Sequence, residues 1–180
     1  LDGNRVGIQF QNSDANIMSC SVVNSTVVGI STWYSSPLLE NCLLSNVLDM
    51  DVMLNSFPRL LNTTVNASAV RVDLGLYVSV GQRMSVMVVN PIGEPQQGIN
   101  IAVLDAEGNP ASNGFTNGTG IASNLSYRER FITREGVIEM GEHRILAFDF
   151  EDGMFTTYGE NTTVMNNGTV PIVVVEPNPP

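Results

Sequence analysis

VGIQFQNSDANIMSCSVVNS (residues 6–25), VGISTWYSSPLLENCLLSN (28–46) and LDMDVMLNSFPRLLNTTVN (48–66) are three versions of one line. Gly7 and Gly29 lie 22 residues apart, as do Cys20 and Cys42, and Asn24 and Asn46. In the third line Asn62, Thr63 and Asn66 take the places of Asn41, Cys42 and Asn46, with the period shortened by one or two residues. A period this short, with polar residues at its corners, describes coils that stack.

What recurs argues for a coil and against a hairpin or helix. Short apolar runs (Val6-Ile8-Phe10, Ile17, Val22; Val28-Ile30, Leu39, Leu44; Met50-Val52-Leu54, Leu60, Val65) are separated by Asn, Ser, Asp or Pro, which bend the chain. About 22 residues at roughly 3.3 Å each, with several corners, make one turn whose strands pair with the next turn at about 4.8 Å. Like residues then stack: Ser19, Asn41 and Asn62 at a tight internal corner, with Cys20, Cys42 and Thr63 in the next column. Val22, Leu44 and Val65 are expected to be buried one above another.

The pattern of G-I, polar N-S corners and I/L-x-N-C-x-I/L-x-x-N resembles the right-handed parallel β-helix repeats of the NosD-like and pectate-lyase-like superfamily, over about residues 5–66. That resemblance implies about three coils in residues 1–68. The superfamily holds polysaccharide lyases and hydrolases and also many secreted surface proteins.

After Asn66 the beat stops. Val70, Val72, Leu74, Leu76, Val78 and Val80 alternate with polar residues, the period of a half-buried strand. Further strands are expected at about 84–89, 99–105, 121–127, 143–150, 154–158 and 169–175, and 126–141 reads as a strand end plus loop. Val88-Val89-Asn90-Pro91-Ile92-Gly93-Glu94-Pro95 through Asp105 and Gly108, then Thr116-Asn117-Gly118-Thr119-Gly120, resembles carboxypeptidase-regulatory-like and bacterial Ig-like modules over about 84–150. Those modules are spacers, stalks and adhesive domains. The fold class expected is therefore all-β, a short β-helix followed by an Ig-like β-sandwich over 69–180.

Composition narrows the function. Eighteen acidic residues face eight basic ones, all Arg, for a net charge of −10. Such a surface disfavours nucleic acid and anionic membrane. No apolar run approaches a membrane span, so no transmembrane segment is expected. Seven N-x-S/T sequons, at Asn24, Asn62, Asn66, Asn117, Asn124, Asn161 and Asn167, point outside the cell, with Asn62 the least suited because its corner ladder is read as internal. Leu1 opens inside a repeat, and the expectation is that coils or a removed signal peptide precede it. Cys20 and Cys42 lie in one column, close enough to bridge but pointing the same way, and both a disulfide and a stacked pair of buried thiols stay open.

Catalytic residues are not found. His143 is the only histidine and is expected at a surface or edge position. Asp49 and Asp51 share a face like a glycosidase pair, but alternation with Met50 and Val52 makes them solvent-facing neighbours of core residues. A lyase base would have to be Arg5 or Arg59. Trp33 and Tyr34 are the adjacent aromatics of the coils, suited to a sugar ring or to packing at a corner. No cofactor is called for; calcium would suit Asp105, Glu107, Asp149, Glu151 and Asp152 at hairpin ends, where turn geometry is the plainer role.

The function expected is therefore a non-enzymatic extracellular structural or adhesive surface protein whose copies join head to tail, as in a fibre, sheath or surface layer. The open edge of the first coil, Arg5, Val6, Gly7, Ile8, Gln9 and Phe10, is the expected assembly face. The alternatives are a fragment of a β-helix carbohydrate-active enzyme and a glycan-binding module.

Overall fold

The computed structural model describes residues 3–151, 154–163 and 172–174, with side chains over 3–148. Two compact units result: Leu1–Gln82 with Arg128–Glu139, and Arg83–Tyr127 with Met140–Pro180.

The first unit contains a β-solenoid. Its first turn is β1 (Val6–Gln11), β2 (Asn16–Met18) and β3 (Ser21–Val23); its second is β4 (Val28–Trp33), β5 (Leu38–Glu40) and β6 (Leu43–Ser45). The third is β7 (Met50–Met53) and β8 (Arg59–Leu61), with a single bridge from Leu43 to Thr64 on the third face. All pairings are parallel, and the registers keep the spacing read from the repeat: Val6 beside Val28, Ile17 beside Leu39, Val22 beside Leu44.

A fourth turn follows, so the expected count of about three coils is one short. After a single 3-10 turn at Ala67–Ala69, β9 (Val70–Val72) pairs with β7. The start of β10 (Val78–Val89) pairs with β8, Ser79 beside Arg59 and Val80 beside Leu60. The alternating run from Val70 to Val80 is thus two solenoid strands, not one sandwich strand. Period-2 alternation is common to both arrangements, and the break between them is a turn in which Leu76 N–H donates to Asp73 O at 3.1 Å.

The solenoid core consists of stacked columns. Ile17, Leu39, Leu60 and Val80 form one; Phe10, Thr32, Val52 and Val72 another; Val22, Leu44 and Val65 a third, all three buried as the repeat requires. Each fully buried aliphatic side chain contributes about 1.5–3 kcal/mol, and slipping one coil by one residue turns its column outward.

The strand direction reverses beyond β10. β13 (Ile121–Thr133) lies beside β10 and forms a hairpin with β14 (Gly136–Glu139), Phe131 opposite Ile138 and Ile132 opposite Val137. Residues 126–141 are therefore mostly strand, where a loop was expected; the two-residue connection Arg134-Glu135 closes the hairpin. The order in this sheet is β14-β13-β10-β8-β5-β2.

In the second unit an antiparallel sheet runs β12 (Pro110–Phe115), β11 (Asn100–Leu104), β15 (His143–Glu151), β16 (Met154–Thr163), and β17 (Ile172–Val174) pairs with the end of β10. Val86, Val88, Ile101, Val103, Leu125, Tyr127 and Ile145 form its separate core.

Candidate functional site

The polar corners of the coils hold the groups that sequence reading singled out. After β2, β5 and β8 the chain turns through left-handed residues, Ser19 (φ 54°), Asn41 (φ 55°) and Asn62 (φ 48°), a conformation that asparagine tolerates better than most residues. Each donates its backbone N–H to the next coil: Ser19 to Glu40 O (2.8 Å), Asn41 to Leu61 O (3.0 Å), Asn62 to Gly81 O (3.0 Å). The following side chains all fold back on a carbonyl two residues earlier, Cys20 Sγ on Met18 O (3.3 Å), Cys42 Sγ on Glu40 O (3.4 Å) and Thr63 Oγ1 on Leu61 O (3.0 Å). Both cysteines are free thiols with no bridge between them, but only Cys42 is buried; Cys20, expected to be buried with it, is exposed.

Asp49 and Asp51 are buried, not solvent-facing. Asp49 sits where the chain bends into β7, and there strand alternation no longer decides which way a side chain faces. Its Oδ1 accepts Asn46 N–H (2.7 Å) and Asn46 Nδ2 (3.2 Å), its Oδ2 accepts Asn66 N–H (3.1 Å), and Asn46 Nδ2 also donates to Val22 O (2.8 Å). One carboxylate thereby ties two successive Asn corners. Asp51 pairs in bidentate fashion with Arg71, which stacks beside it on β9. The hydrogen bond to Asp51, then its charge, raises the Arg71 pKa above its ordinary value. Both carboxylates are thus held by structural partners.

Of the other candidates, Tyr34 is exposed at a left-handed corner (φ 49°), and Leu54 and Leu74 occupy the same corner on the next two coils and are exposed too. Trp33 is half-buried, and Arg5 and Arg59 are exposed. His143 is buried, not at the surface: its ring packs edge-on against Tyr127, centroids 5.3 Å apart, because the first residue of β15 faces the second core. Among the described residues no three His, Cys, Asp or Glu side chains come together as a metal site, and no helix is long and apolar enough to cross a membrane. Of the carboxylates weighed for calcium, Asp149, Glu151 and Asp152 have side chains outside the described residues.

The hairpin ends of the second unit repeat one device that sequence reading did not isolate. In Asn90-Pro-Ile-Gly93-Glu94, Asp105-Ala-Glu-Gly108-Asn109 and Asn117-Gly-Thr-Gly120-Ile121, the first side-chain oxygen accepts the N–H groups two and four residues on. The glycine three residues on takes φ 86°, 85° and 73°. The signal was present as D/N-x-x-G-x, three times in thirty-odd residues. For Asp105, burial raises the pKa, but hydrogen bonds from Asn109 and Glu107 and the charge of His143 outweigh it and leave the pKa below its ordinary value.

Asn24, Asn62, Asn66, Asn117 and Asn124 are all exposed. Asn62 is in a ladder as expected, donating Nδ2 to Asn41 Oδ1 at 3.1 Å, but the corner is external. Asn66 and Asn117 share a geometry: the side-chain oxygen accepts both the N–H and the hydroxyl of the residue two on, Ser68 or Thr119, at 2.8–3.1 Å. Asn161 lies on β16 with its side chain undescribed, and Asn167 lies outside the described residues.

The expected assembly face is the outer edge of β1. No described strand pairs with the outer edges of β1, β2 or β3, and Val6 at that end is 39% exposed against 5% for Val28 above it. Gly7, Ile8 and Phe10 are partly or wholly buried, Arg5 and Gln9 exposed. Compared with protein-family models, with curated proteins and with solved structures, the chain gives no match.

Proposed function

We propose that the chain is a non-enzymatic structural or adhesive protein of the cell exterior, whose copies associate through the open ends of the solenoid. The observation that carries this reading is that, among the described residues, no strand pairs with the outer edge of the first turn at Arg5–Phe10, where Val6 leaves the end of the core partly exposed. An uncovered strand edge is a template for another strand. A head-to-tail contact of this kind, repeated with a rotation that does not close a ring, gives a fibre.

Two further observations favour it over chemistry. Asp49 and Asp51 are committed to Asn46, Asn66 and Arg71. The chain carries a net charge of −10 with seven sequons, which suits a solvated exterior surface. Membership of the NosD-like and pectate-lyase-like superfamily, and an Ig-like spacer role for the second unit, belong to the same proposal. A glycan-binding reading rests on one observation, the exposed Tyr34, Leu54 and Leu74 at one corner on successive coils, since sugar faces dock on such ridges.

Electron microscopy of the purified chain across a range of concentrations tests the main reading. Filaments or regular arrays are expected; dispersed single particles at every concentration would refute it. Binding on a glycan array that Tyr34→Ala abolishes would favour the second reading instead.

A further inference from the structure

The geometry points to a docking surface on the outer face of the first unit, built from Phe57, Arg59, Tyr77, Arg128 and Phe131, for an acidic segment of a partner protein that carries apolar side chains between its carboxylates. The surface is a face of the sheet, apart from the edge of the first turn, and it does not depend on self-association.

Register places these residues in two rows. Leu60 and Val80 pair side by side and belong to the core, so Arg59 and Ser79, paired one residue earlier, face outward. Phe57 and Tyr77 stand two residues earlier again, with ring centroids 5.0 Å apart, and Phe131 of β13 extends their row at 4.7 Å from Tyr77. Ile138, opposite Phe131 on β14 and 55% exposed, ends it. Arg128 ties the rows together: its Nε donates to Ser79 Oγ at 3.1 Å, and its guanidinium lies over the Phe131 ring, 4.8 Å from the centroid. All of these residues belong to the first unit.

Charge sets this face apart from the rest of the chain, in which eighteen acidic residues face eight basic ones. Arg59 is exposed, and its side chain has neither an ion-pair nor a hydrogen-bond partner among the described residues. Arg128 is exposed too and meets no carboxylate among them; Glu129, its neighbour in sequence, accepts from Gln82 instead. Two guanidinium groups, on the strands either side of Ser79, are thus open to carboxylates, which arginine binds in bidentate fashion. The net charge of −10 repels an acidic partner at a distance. Beyond about 8 Å that repulsion is screened at physiological salt, so the local sign decides at contact.

Ring geometry selects the class of partner. The rings are tilted to one another by 51° and 67°, and Arg128 already covers one face of Phe131. They share no plane on which a run of sugar rings could lie. They offer edges and angled faces instead, which suit apolar and aromatic side chains. Tyr, Phe and Arg are also the residues in which the cores of protein contacts are enriched.

Fluorescence anisotropy with a labelled peptide of alternating Asp and Leu is the test, beside peptides of alternating Asp and Ser and of alternating Lys and Leu, with circular dichroism to confirm that variants fold. The Asp-Leu peptide should bind the full chain more tightly than either comparator, and added salt should weaken it. Arg59→Glu should lower its affinity about tenfold or more, since like charges then meet at the contact. Arg5→Glu changes the net charge equally at an exposed arginine of the same unit outside this face, and should alter affinity by less than about twofold. Tyr77→Ala should lower it roughly threefold or more. Equal losses from Arg59→Glu and Arg5→Glu, or an Asp-Ser peptide that binds as tightly as Asp-Leu, would overturn the proposal. So would an acidic polysaccharide that binds through Arg59 while the Asp-Leu peptide does not. Self-association abolished by Arg59→Glu, with no peptide bound, would assign the face to a second copy and overturn it as well.

Discussion

Asn46 occupies the space that a side chain at Gly29 would need. A Cβ built on Gly29 collides with the Asn46 amide and comes within 2.9 Å of Asp49 O, and one on Gly7 collides with Gly29 O and Val22 Cγ1. The 22-residue glycine spacing thus records a close approach at the bend into β1 and β4, with φ playing no part.

Gly29→Ala should destabilise the first unit by about 2 kcal/mol or more, since the obstruction includes backbone and overpacking of this kind typically costs 1–3 kcal/mol. Urea unfolding should show a lower midpoint at unchanged slope. Gly3→Ala, at an open position with φ 72°, serves as the contrast: backbone strain without a clash. Equal losses from the two would refute the packing account.

Asp49 and Asp51 separate in the same experiment. Asp49→Asn turns a double acceptor into a group with an N–H facing the Asn46 or Asn66 donors, and loss of charged hydrogen bonds at a buried site should cost about 2–3 kcal/mol. Asp51→Asn should cost less than about 1 kcal/mol, because the Arg71 side chain that it pairs with is 64% exposed and screened by solvent. Reversal of that order would mean that the Asn corners are not what Asp49 holds.

Glycan mapping of the chain secreted from a glycosylating host should find Asn24, Asn66, Asn117 and Asn124 modified more fully than Asn62. All five are exposed, but only the Asn62 amide nitrogen donates along the corner ladder, to Asn41. A glycan there removes one of its two N–H groups and stands against the neighbouring coil. Full occupancy of Asn62 in the folded protein would show that the ladder does not matter.

The coils were legible because corner chemistry recurs in letters: Gly7 and Gly29, Asn41 and Asn62, Cys20, Cys42 and Thr63. The fourth turn was not, because its corners carry none of those letters and the spacing had fallen from 22 to 20 residues, from Val6–Val28 to Met50–Val70. What remained, Val70 to Val80, has the same alternation in a solenoid as in a sandwich. Asp49 was misread for a related reason, since it stands at a bend where inward and outward no longer alternate. His143 was misread because burial beside Tyr127 depends on a partner sixteen residues away. Val137 and Ile138 carried a readable hairpin signal, Phe-Ile-Thr-Arg-Glu-Gly-Val-Ile, hidden by the surrounding charge.

Asp105 offers a pH-dependent readout with controls inside the same unit. Its folded pKa lies below the ordinary carboxyl value, so its ionised form stabilises the turn. That contribution is complete above an unfolded pKa of about 4 and is lost as pH falls through the lower folded value. The turns at Asn90 and Asn117 have the same hydrogen bonds from an amide oxygen that does not titrate there. Amide exchange, corrected for its intrinsic pH dependence, should show protection of Glu107 and Asn109 falling on acidification below pH 4. Ile92, Glu94, Thr119 and Ile121 should hold theirs over the same range. Asp105→Asn should remove the difference and leave three turns of one kind, at some cost in stability because a charged acceptor of two backbone N–H groups becomes a neutral one. Parallel loss of protection in all three turns would place the acid sensitivity elsewhere in the unit and dismiss Asp105 as its source.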